Sequence, residues 1–403
     1  MSSGRCLVCA RPEVERLLEL GPQPVTNRFP DTDDEAEFSH PMTFGACRDC
    51  GTAQLLEFPP ASELKPVCDW ITYNEPEPHL DGLADRLAAL PGIGPDSVVL
   101  AITAKDDSLL RRLNERGISK TRRLDPKADL GEDDPRAFVE TIQGLLTPEK
   151  ALRLAEKIGR ADLVIARHIF EHAHAPAQFF AALCALAKPG GRVVLEAPDC
   201  GRALRDHDYS MLWEEHSLYL TPATFRRTVE SFGAEIERFE THPYALEDSL
   251  VIVARPGKNR GEPAPAAEAK AALEQARRFA GGLAEKRRVT REWARKAAGD
   301  GGKLALFGAG HLAAVWINAL GLRDMIAFVV DDNANKKGRR MPGSRLPILG
   351  SDALNDPKVS WTLMAFHPGA EDAVIAKNRA FTERGGRFVS IFPGSPRSLE
   401  AAK

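Results

Sequence analysis

Residues 97–102 read Ser97-Val-Val-Leu-Ala-Ile102, an apolar run with the length and β-branched content of a buried strand. A helical pattern over residues 108–116 follows and ends at Gly117, and a second strand pattern over residues 121–124 ends in Asp125. The alternation continues with a helix over 148–158, a strand over 161–166, a helix over 176–186 and a strand over 191–196. Strands that alternate with helices are typical of a doubly wound parallel sheet. The sequence therefore predicts an α/β fold with a central Rossmann-like domain.

A second run of alternating patterns follows a break in composition. Residues 256–265 are rich in Pro, Gly and charge, and residues 266–298 form one long, charged helical pattern that ends at Gly299. Beyond it the sequence predicts strands over 303–307, 326–330, 362–366 and 388–391, with a helix over 311–320. We therefore predict a smaller, Rossmann-like α/β domain at the C-terminal end.

Two cysteine pairs near the N-terminus, Cys6-x-x-Cys9 and Cys47-x-x-Cys50, have the spacing of two metal-binding knuckles. Four thiolates complete the tetrahedral coordination of Zn²⁺ and leave no position for water or substrate, so the predicted zinc is structural. The alternative is a chance pairing of cysteines in a reduced chain. A disulfide framework does not suit a chain of 403 residues whose other three cysteines are scattered.

These patterns divide the chain into four predicted segments. They are a zinc-binding domain over residues 1–68, a Rossmann domain over 69–257, a linking helix over 258–298 and a C-terminal α/β domain over 299–403.

The charge balance limits the kinds of partner that the chain is expected to bind. The 54 Lys and Arg residues stand against 57 Asp and Glu, which gives a net charge of −3 with both signs interspersed. Neither a nucleic acid nor a membrane surface is expected as a partner, because either would favour a basic face. No apolar run approaches the ~20 residues of a membrane span, and no leader-like apolar stretch follows Met1. We expect a cytoplasmic protein that acts on a small molecule.

Several motifs together resemble one family, the zinc-containing, S-adenosylmethionine (SAM)-dependent C-methyltransferases that act on nucleotide-linked deoxysugars. The similar stretches, in order, are Cys50-Gly-Thr-Ala-Gln-Leu55, Pro189-Gly-Gly-Arg-Val-Val-Leu-Glu-Ala-Pro198, Glu215-His-Ser-Leu-Tyr219, Phe307-Gly-Ala-Gly310, Phe328-Val-Val-Asp-Asp-Asn333 and Lys337-Gly-Arg-Arg-Met-Pro-Gly343. The resemblance implies a class I methyltransferase-type central domain, a structural zinc, SAM as methyl donor and a nucleotide-linked sugar as substrate.

The loop after the first strand of the central domain departs from the family pattern. It reads Leu100-Ala-Ile-Thr-Ala-Lys-Asp-Asp-Ser-Leu-Leu110, with Thr103 and Asp107 where the family approaches the cofactor with glycine. The added side chains predict weakened SAM binding. Asp125, at the end of the second strand, still offers the carboxylate expected to hold ribose hydroxyls, although a helix N-cap is an equal alternative for it.

The resemblance also implies where the chemistry lies. Methylation beside a sugar ketone needs a base for the α-proton and a donor that holds the enolate. Glu215 and His216 match the pair expected at the reacting centre, and His172 matches a family histidine at the carboxyl end of the sheet. Tyr73 corresponds to a tyrosine that leads into the central domain. A structural role is the alternative for each of these side chains.

The C-terminal domain carries a second candidate site. Gly308-x-Gly310-x-x-Ala313, followed by Asp331, fits the dinucleotide fingerprint in a strand–turn–helix context. It predicts NAD binding, a groove for the nucleotide-sugar, or a tight turn without a ligand. For the whole chain, two alternatives to methyl transfer stay open: a SAM-independent nucleotide-sugar epimerase or isomerase, and a non-catalytic binding subunit.

Overall fold

The computed structural model describes residues 4–68, 70–71, 75–257 and 264–401. The chain forms two compact units. The first unit combines residues 1–16, 45–201 and 215–274, and the second combines residues 17–44, 202–214 and 275–403. The division into four segments that the sequence analysis gave remains a prediction.

The described residues form fifteen strands. They are β1 (Val14–Pro24), β2 (Ser39–Cys47), β3 (Ala53–Leu55), β4 (Val98–Ala101), β5 (Lys120–Arg123), β6 (Ala161–Arg167), β7 (Ala187–Asp199), β8 (Leu218–Tyr219), β9 (Ala234–His242), β10 (Asp248–Pro256), β11 (Lys303–Phe307), β12 (Phe328–Val330), β13 (Ile348–Leu349), β14 (Val359–Met364) and β15 (Arg387–Ser390).

The same part of the chain forms fourteen α-helices. They are α1 (Ala61–Leu64), α2 (Leu80–Ala88), α3 (Asp107–Glu115), α4 (Pro126–Leu130), α5 (Val139–Leu145), α6 (Pro148–Ile158), α7 (Pro176–Leu186), α8 (Gly201–Asp206), α9 (Pro222–Ser231), α10 (Ala266–Gly281), α11 (Leu283–Ala298), α12 (His311–Leu320), α13 (Glu371–Lys377) and α14 (Arg379–Glu383). None of the helices among the described residues is long and apolar enough to cross a membrane.

The central sheet has the strand order β5-β4-β6-β7-β10-β9. The first four strands run parallel, whereas β10 lies antiparallel to both β7 and β9. Successive side chains of a strand point to opposite faces, so Leu100 and Val164 pack in one apolar cluster while Val99 and Leu163 pack in another. The chain leaves β4 toward β5 and returns on the other side of β4 as β6. The carboxyl ends of β4 and β6 therefore flank a topological switch point, the usual ligand site of such sheets.

Two smaller sheets complete the fold. One has the order β1-β2-β3-β8, and its β3 pairs antiparallel with β8 through Ala53 opposite Tyr219 and Gln54 opposite Leu218. The other has the order β13-β12-β11-β14-β15, with every pairing parallel. This five-stranded sheet is the C-terminal Rossmann-like sheet predicted from the sequence.

The prediction of one continuous helix over residues 266–298 was wrong. The structure has two helices, α10 and α11, separated by Gly282. A Cβ at Gly282 would lie 2.3 Å from the His207 ring and 3.0 Å from the Tyr209 hydroxyl, so only glycine fits this approach. Adjacent Gly281 and Gly282 also have low helix propensity, and such glycines are where helices bend.

Candidate active site and zinc centre

The four N-terminal cysteines converge as predicted. The Sγ atoms of Cys6 and Cys50 lie 3.5 Å apart and those of Cys9 and Cys47 lie 3.6 Å apart, and all four sulfurs lie within 4.8 Å of one another. Thiolates around one tetrahedral Zn²⁺ are separated by about 3.8 Å, given a Zn–S bond of ~2.3 Å. Cys6 and Cys47 are fully buried, so the site is closed to substrate. The arrangement fits a structural zinc.

Gly51 shapes the second knuckle. Its backbone has φ +73°, in the left-handed region, and its N–H donates to the Cys47 carbonyl at 2.9 Å. A Cβ here would lie 2.7 Å from both the Ala269 carbonyl oxygen and the Ala272 Cβ. Both conformation and packing therefore require glycine at this position.

We expect Gly51→Ala to lower the free energy of unfolding by roughly 2–4 kcal/mol, from left-handed strain and overpacking together. Gly131→Ala is the matched control, because Gly131 also has φ +73° but a Cβ there would meet nothing within 4 Å. The control should lose only the strain contribution of about 1–2 kcal/mol. Denaturant unfolding of both variants measures the difference, and equal losses would remove the packing argument.

The candidate active site lies at the carboxyl ends of the central strands. A single 3-10 turn, Phe170–His172, follows β6 and supplies Glu171 and His172, while helix α5 supplies Glu140. The segment that carries Glu215 and His216 is tied to this turn by Ser217. The Ser217 N–H donates to the Glu171 carbonyl at 2.8 Å, and its hydroxyl donates to the Ala173 carbonyl at 2.7 Å.

The structure brings together three of the four predicted catalytic residues. The His172 and His216 rings lie 4.6 Å apart, nearly perpendicular at 86°. The Nδ1 of His172 lies 2.5 Å from the Glu140 Oε1, and polar atoms of Glu140, His172 and Glu215 lie within 4.8 Å of one another. Tyr73 falls outside the described residues.

Burial shifts the pKa values of the His172 and Glu140 pair in opposite directions. It raises the pKa of the Glu140 carboxyl and lowers the pKa of the His172 imidazole. Burial therefore disfavours the charged form of each group, and the two groups share a hydrogen bond.

Four further side chains at this site were missed by sequence reasoning: Glu75, Lys105, Glu140 and Glu171. Lys105 is buried and forms an ion pair with Glu75. Burial alone would lower the pKa of Lys105, but the Glu75 carboxylate raises it above its usual value. Glu171 stands inside the sequence motif of His172, which is the one signal that could have identified it. Nothing in the sequence around Glu140 relates it to a histidine 32 residues further on.

The loop after β4 is closed by Asp106, a residue that sequence analysis did not single out. Its fully buried carboxylate accepts the N–H groups of Ile102 at 3.0 Å, Thr103 at 2.8 Å and Arg167 at 2.9 Å. The Thr103 hydroxyl turns back into the loop and accepts the Lys105 N–H at 3.2 Å. The loop is therefore held from inside by its own polar groups.

The predicted cofactor-binding carboxylates, Asp107 and Asp125, lie at the starts of helices α3 and α4. Asp107 is exposed and pairs with Arg123. Asp125 caps α4 by accepting the Ala128 N–H at 2.7 Å, which is the alternative role considered for it. A carboxylate has about four lone-pair positions, so this cap leaves acceptor capacity for ribose hydroxyls. Residues that would hold SAM are thus the backbone of 103–107 and the Asp125 carboxylate.

We expect the unmodified chain to bind SAM with a dissociation constant weaker than micromolar, because Asp107 adds a Cβ where the family has glycine. Asp107→Gly should tighten binding roughly tenfold, equivalent to about 1.4 kcal/mol. Asp107→Ala is the matched control, since it removes the charge but keeps the Cβ, and its affinity should stay at the starting value. Titration calorimetry with SAM decides this. Micromolar binding by the unmodified chain, or equal tightening in both variants, would contradict the steric argument.

The glycine turn of the C-terminal sheet is packed against its own unit. Gly308 has φ +106°, and a Cβ there would lie 2.8 Å from the Ala365 carbonyl oxygen. Asp331 accepts the Ala309 N–H at 2.9 Å, and the Lys336 ammonium donates to the Ala309 carbonyl at 2.7 Å. Gly310 caps α12 and a Cβ there would meet nothing within 4 Å. Binding of a nucleotide at Gly308 and Gly310 stays a prediction.

Three protein-family models match successive parts of the chain. The model described as "Putative zinc binding domain" matches residues 6–64, "Methyltransferase domain" matches residues 80–238, and "C-methyltransferase C-terminal domain" matches residues 255–393. Together the three models identify the chain as a methyltransferase that combines a zinc-binding domain, a central methyltransferase domain and a C-methyltransferase C-terminal domain.

The chain is also similar to individual known proteins. The C-methyltransferase NovU of Streptomyces niveus is 25% identical over 412 residues, which cover 98% of this chain and 97% of the relative. A SAM-dependent methyltransferase structure from Anabaena variabilis is 12% identical, with a TM-score of 0.28 over 43% of this chain and 83% of that one. The magnesium protoporphyrin IX methyltransferase structure from Synechocystis is 16% identical, with a TM-score of 0.31 over 44% of this chain and 82% of that one.

Proposed function

We propose that this chain methylates a carbon next to the ketone of a nucleotide-linked keto-deoxysugar, with His216 as the general base. The observation that carries the proposal is the placement of two histidines and three carboxylates beside the switch point of a methyltransferase sheet. The sugar substrate rests on the family resemblance of the Glu215-His-Ser-Leu-Tyr219 motif.

His216 suits the base role because its imidazole is partly exposed while its neighbours are buried. It takes the proton of the carbon next to the ketone, and Glu215 stabilises the imidazolium that results. Because the His216 ring is partly exposed, a substrate can reach it. Glu215 acts through the imidazole.

His172 suits the second role, which is to hold the enolate oxygen. Its Nδ1 is fixed by Glu140 at 2.5 Å, so the ring orientation is set before substrate arrives.

When bound, SAM supplies an electrophilic methyl group. That methyl group would accept the electron pair that the departing proton leaves on the carbon.

One assay distinguishes the proposal from its two alternatives. The protein is incubated in D₂O with SAM and a panel of nucleotide-linked keto-deoxysugars, and the products are followed by mass spectrometry. A methylated sugar supports the proposal. When SAM is saturating, deuterium incorporation without methylation points to the epimerase or isomerase alternative, and sugar binding without either change points to a binding subunit. Both of these outcomes contradict C-methylation.

A further inference from the structure

We propose that Glu171, His172 and His216 form a second divalent-metal site, distinct from the four cysteines and suited to a cation that takes nitrogen and oxygen ligands. One ligand atom from each residue lies within 4.8 Å of the other two. The Nε2 of His172 lies 4.0 Å from the Glu171 Oε1. Two imidazoles and one carboxylate form a donor set used for Zn²⁺ and Fe²⁺, with positions left open.

The Glu171 carboxylate gives an independent reason to expect a ligand. Glu171 is 2% exposed, and its Oε2 has no hydrogen-bond partner among the described residues. A buried carboxylate oxygen without a hydrogen-bond partner is energetically costly. A cation bound beside the two imidazoles would satisfy it. Ligand atoms around such an ion are separated by about 3 Å, so side-chain shifts of order 1 Å close the site.

The surroundings of His172 match those of a metal-binding histidine. Its Nδ1 meets Glu140 at 2.5 Å, and a ligating histidine usually donates its other ring N–H to a carboxylate in this way. Metal binding at the Nε2 of His172 would place the ring proton on Nδ1, with Glu140 as the acceptor. Polar atoms of Glu140, His172 and Glu215 also lie within 4.8 Å, but that set has one imidazole where the first has two.

Acidic and basic groups both surround the cluster. Glu140 and Glu215 lie close to His172, and Glu171 lies close to both rings. Lys105 is paired with Glu75, and the Nδ1 of His168 lies 3.6 Å from the Glu171 Oε1. A bound cation would therefore share the Glu171 carboxylate with His168.

Metal binding at this site would affect the proposed reaction. The imidazole lone pair of His216 that coordinates a metal is no longer able to accept a proton. Metal at this site would thus block the base of the proposed reaction. The existence of the site does not depend on that reaction, and metal binding is measured without any sugar or methyl donor.

Cobalt titration of the zinc-loaded full chain tests the site. We expect one Co²⁺ per chain to bind without displacing zinc and to give d–d absorption without thiolate-to-cobalt charge transfer. Glu171→Gln and His216→Gln should each weaken this binding at least tenfold, and Glu140→Gln should weaken it by about 10- to 100-fold. The matched control is His242→Gln, a histidine that stacks on His79 outside the cluster, and its affinity should not change.

Two results overturn the proposal. One is the absence of cobalt uptake beyond displacement of zinc. The other is unchanged affinity in both Glu171→Gln and His216→Gln. His216 is partly exposed, so its variant keeps the test valid if Glu171→Gln does not fold. Circular dichroism and zinc content verify folding. Methyl transfer is measured separately, on zinc-loaded chain without cobalt. Methyl transfer in that assay with no cobalt binding in the titration would reject only the metal site, whereas cobalt binding with no methyl transfer in the cobalt-free assay would reject only the proposed function.

Discussion

Replacing Cys47 with Ser should release the zinc and disorder the cysteine knuckles. Cys47 is completely buried, its sulfur lies 3.6 Å from that of Cys9, and serine does not replace a thiolate ligand. Structural zinc sites of this kind contribute on the order of 10 kcal/mol to folding, so the knuckles should not stay ordered without the metal. Metal analysis should find far less than one zinc per purified chain.

Zinc loss should also abolish activity, because the knuckles are connected to the candidate active site. β3 follows the second knuckle and pairs with β8, and the Leu55 N–H donates to the Ser217 carbonyl at 3.0 Å. Ser217 adjoins His216, so disorder of β3 would release the segment that carries the base. Cys68→Ser is the matched control, since Cys68 lies outside the cluster, and it should keep zinc and activity. Full zinc content in the Cys47 variant would refute this account.

Residues at the ends of helices explain why several elements were predictable. α6 and α7 have the bounds read from the sequence, because each begins with a proline at its first turn. α12 begins after Gly310, its N-cap, and ends before Gly321 in the left-handed conformation. β11 also matches, since it is a short apolar run between polar turns.

Other elements gave no such signal. Strand β9 is half exposed and carries mixed polar and apolar residues, and it and its antiparallel partner β10 were not predicted. Helix α5 is short and has no side-chain N-cap, which concealed Glu140. The contact of Glu140 with His172 arises only when the sheet forms, so local sequence does not encode it. The resemblance identified His172, Glu215 and His216, and the fold showed Glu140 and Glu171 beside them.

His216→Ala should reduce turnover by a factor of ~10²–10⁴, the usual effect of removing a general base. Zinc content and thermal stability should stay close to those of the unmodified chain, because His216 is partly exposed and lies apart from the cysteines. A purely structural histidine would instead give unstable protein with normal activity per folded molecule. His174→Ala is the matched control. His174 lies two residues from His172 and stacks on Phe58 with ring centroids 4.6 Å apart, so its loss should affect stability more than turnover.

Hydrogen–deuterium exchange at the carbon next to the ketone isolates the base step from methyl transfer. The assay needs no methyl donor, so weak SAM binding does not obscure it. Exchange should fall in His216→Ala by the same factor as turnover, while His174→Ala should exchange normally per folded molecule. If exchange is undiminished in the His216 variant, another residue must act as the base. His172 would then be the first candidate, because its Nδ1 is fixed by Glu140 and its ring lies 4.6 Å from that of His216.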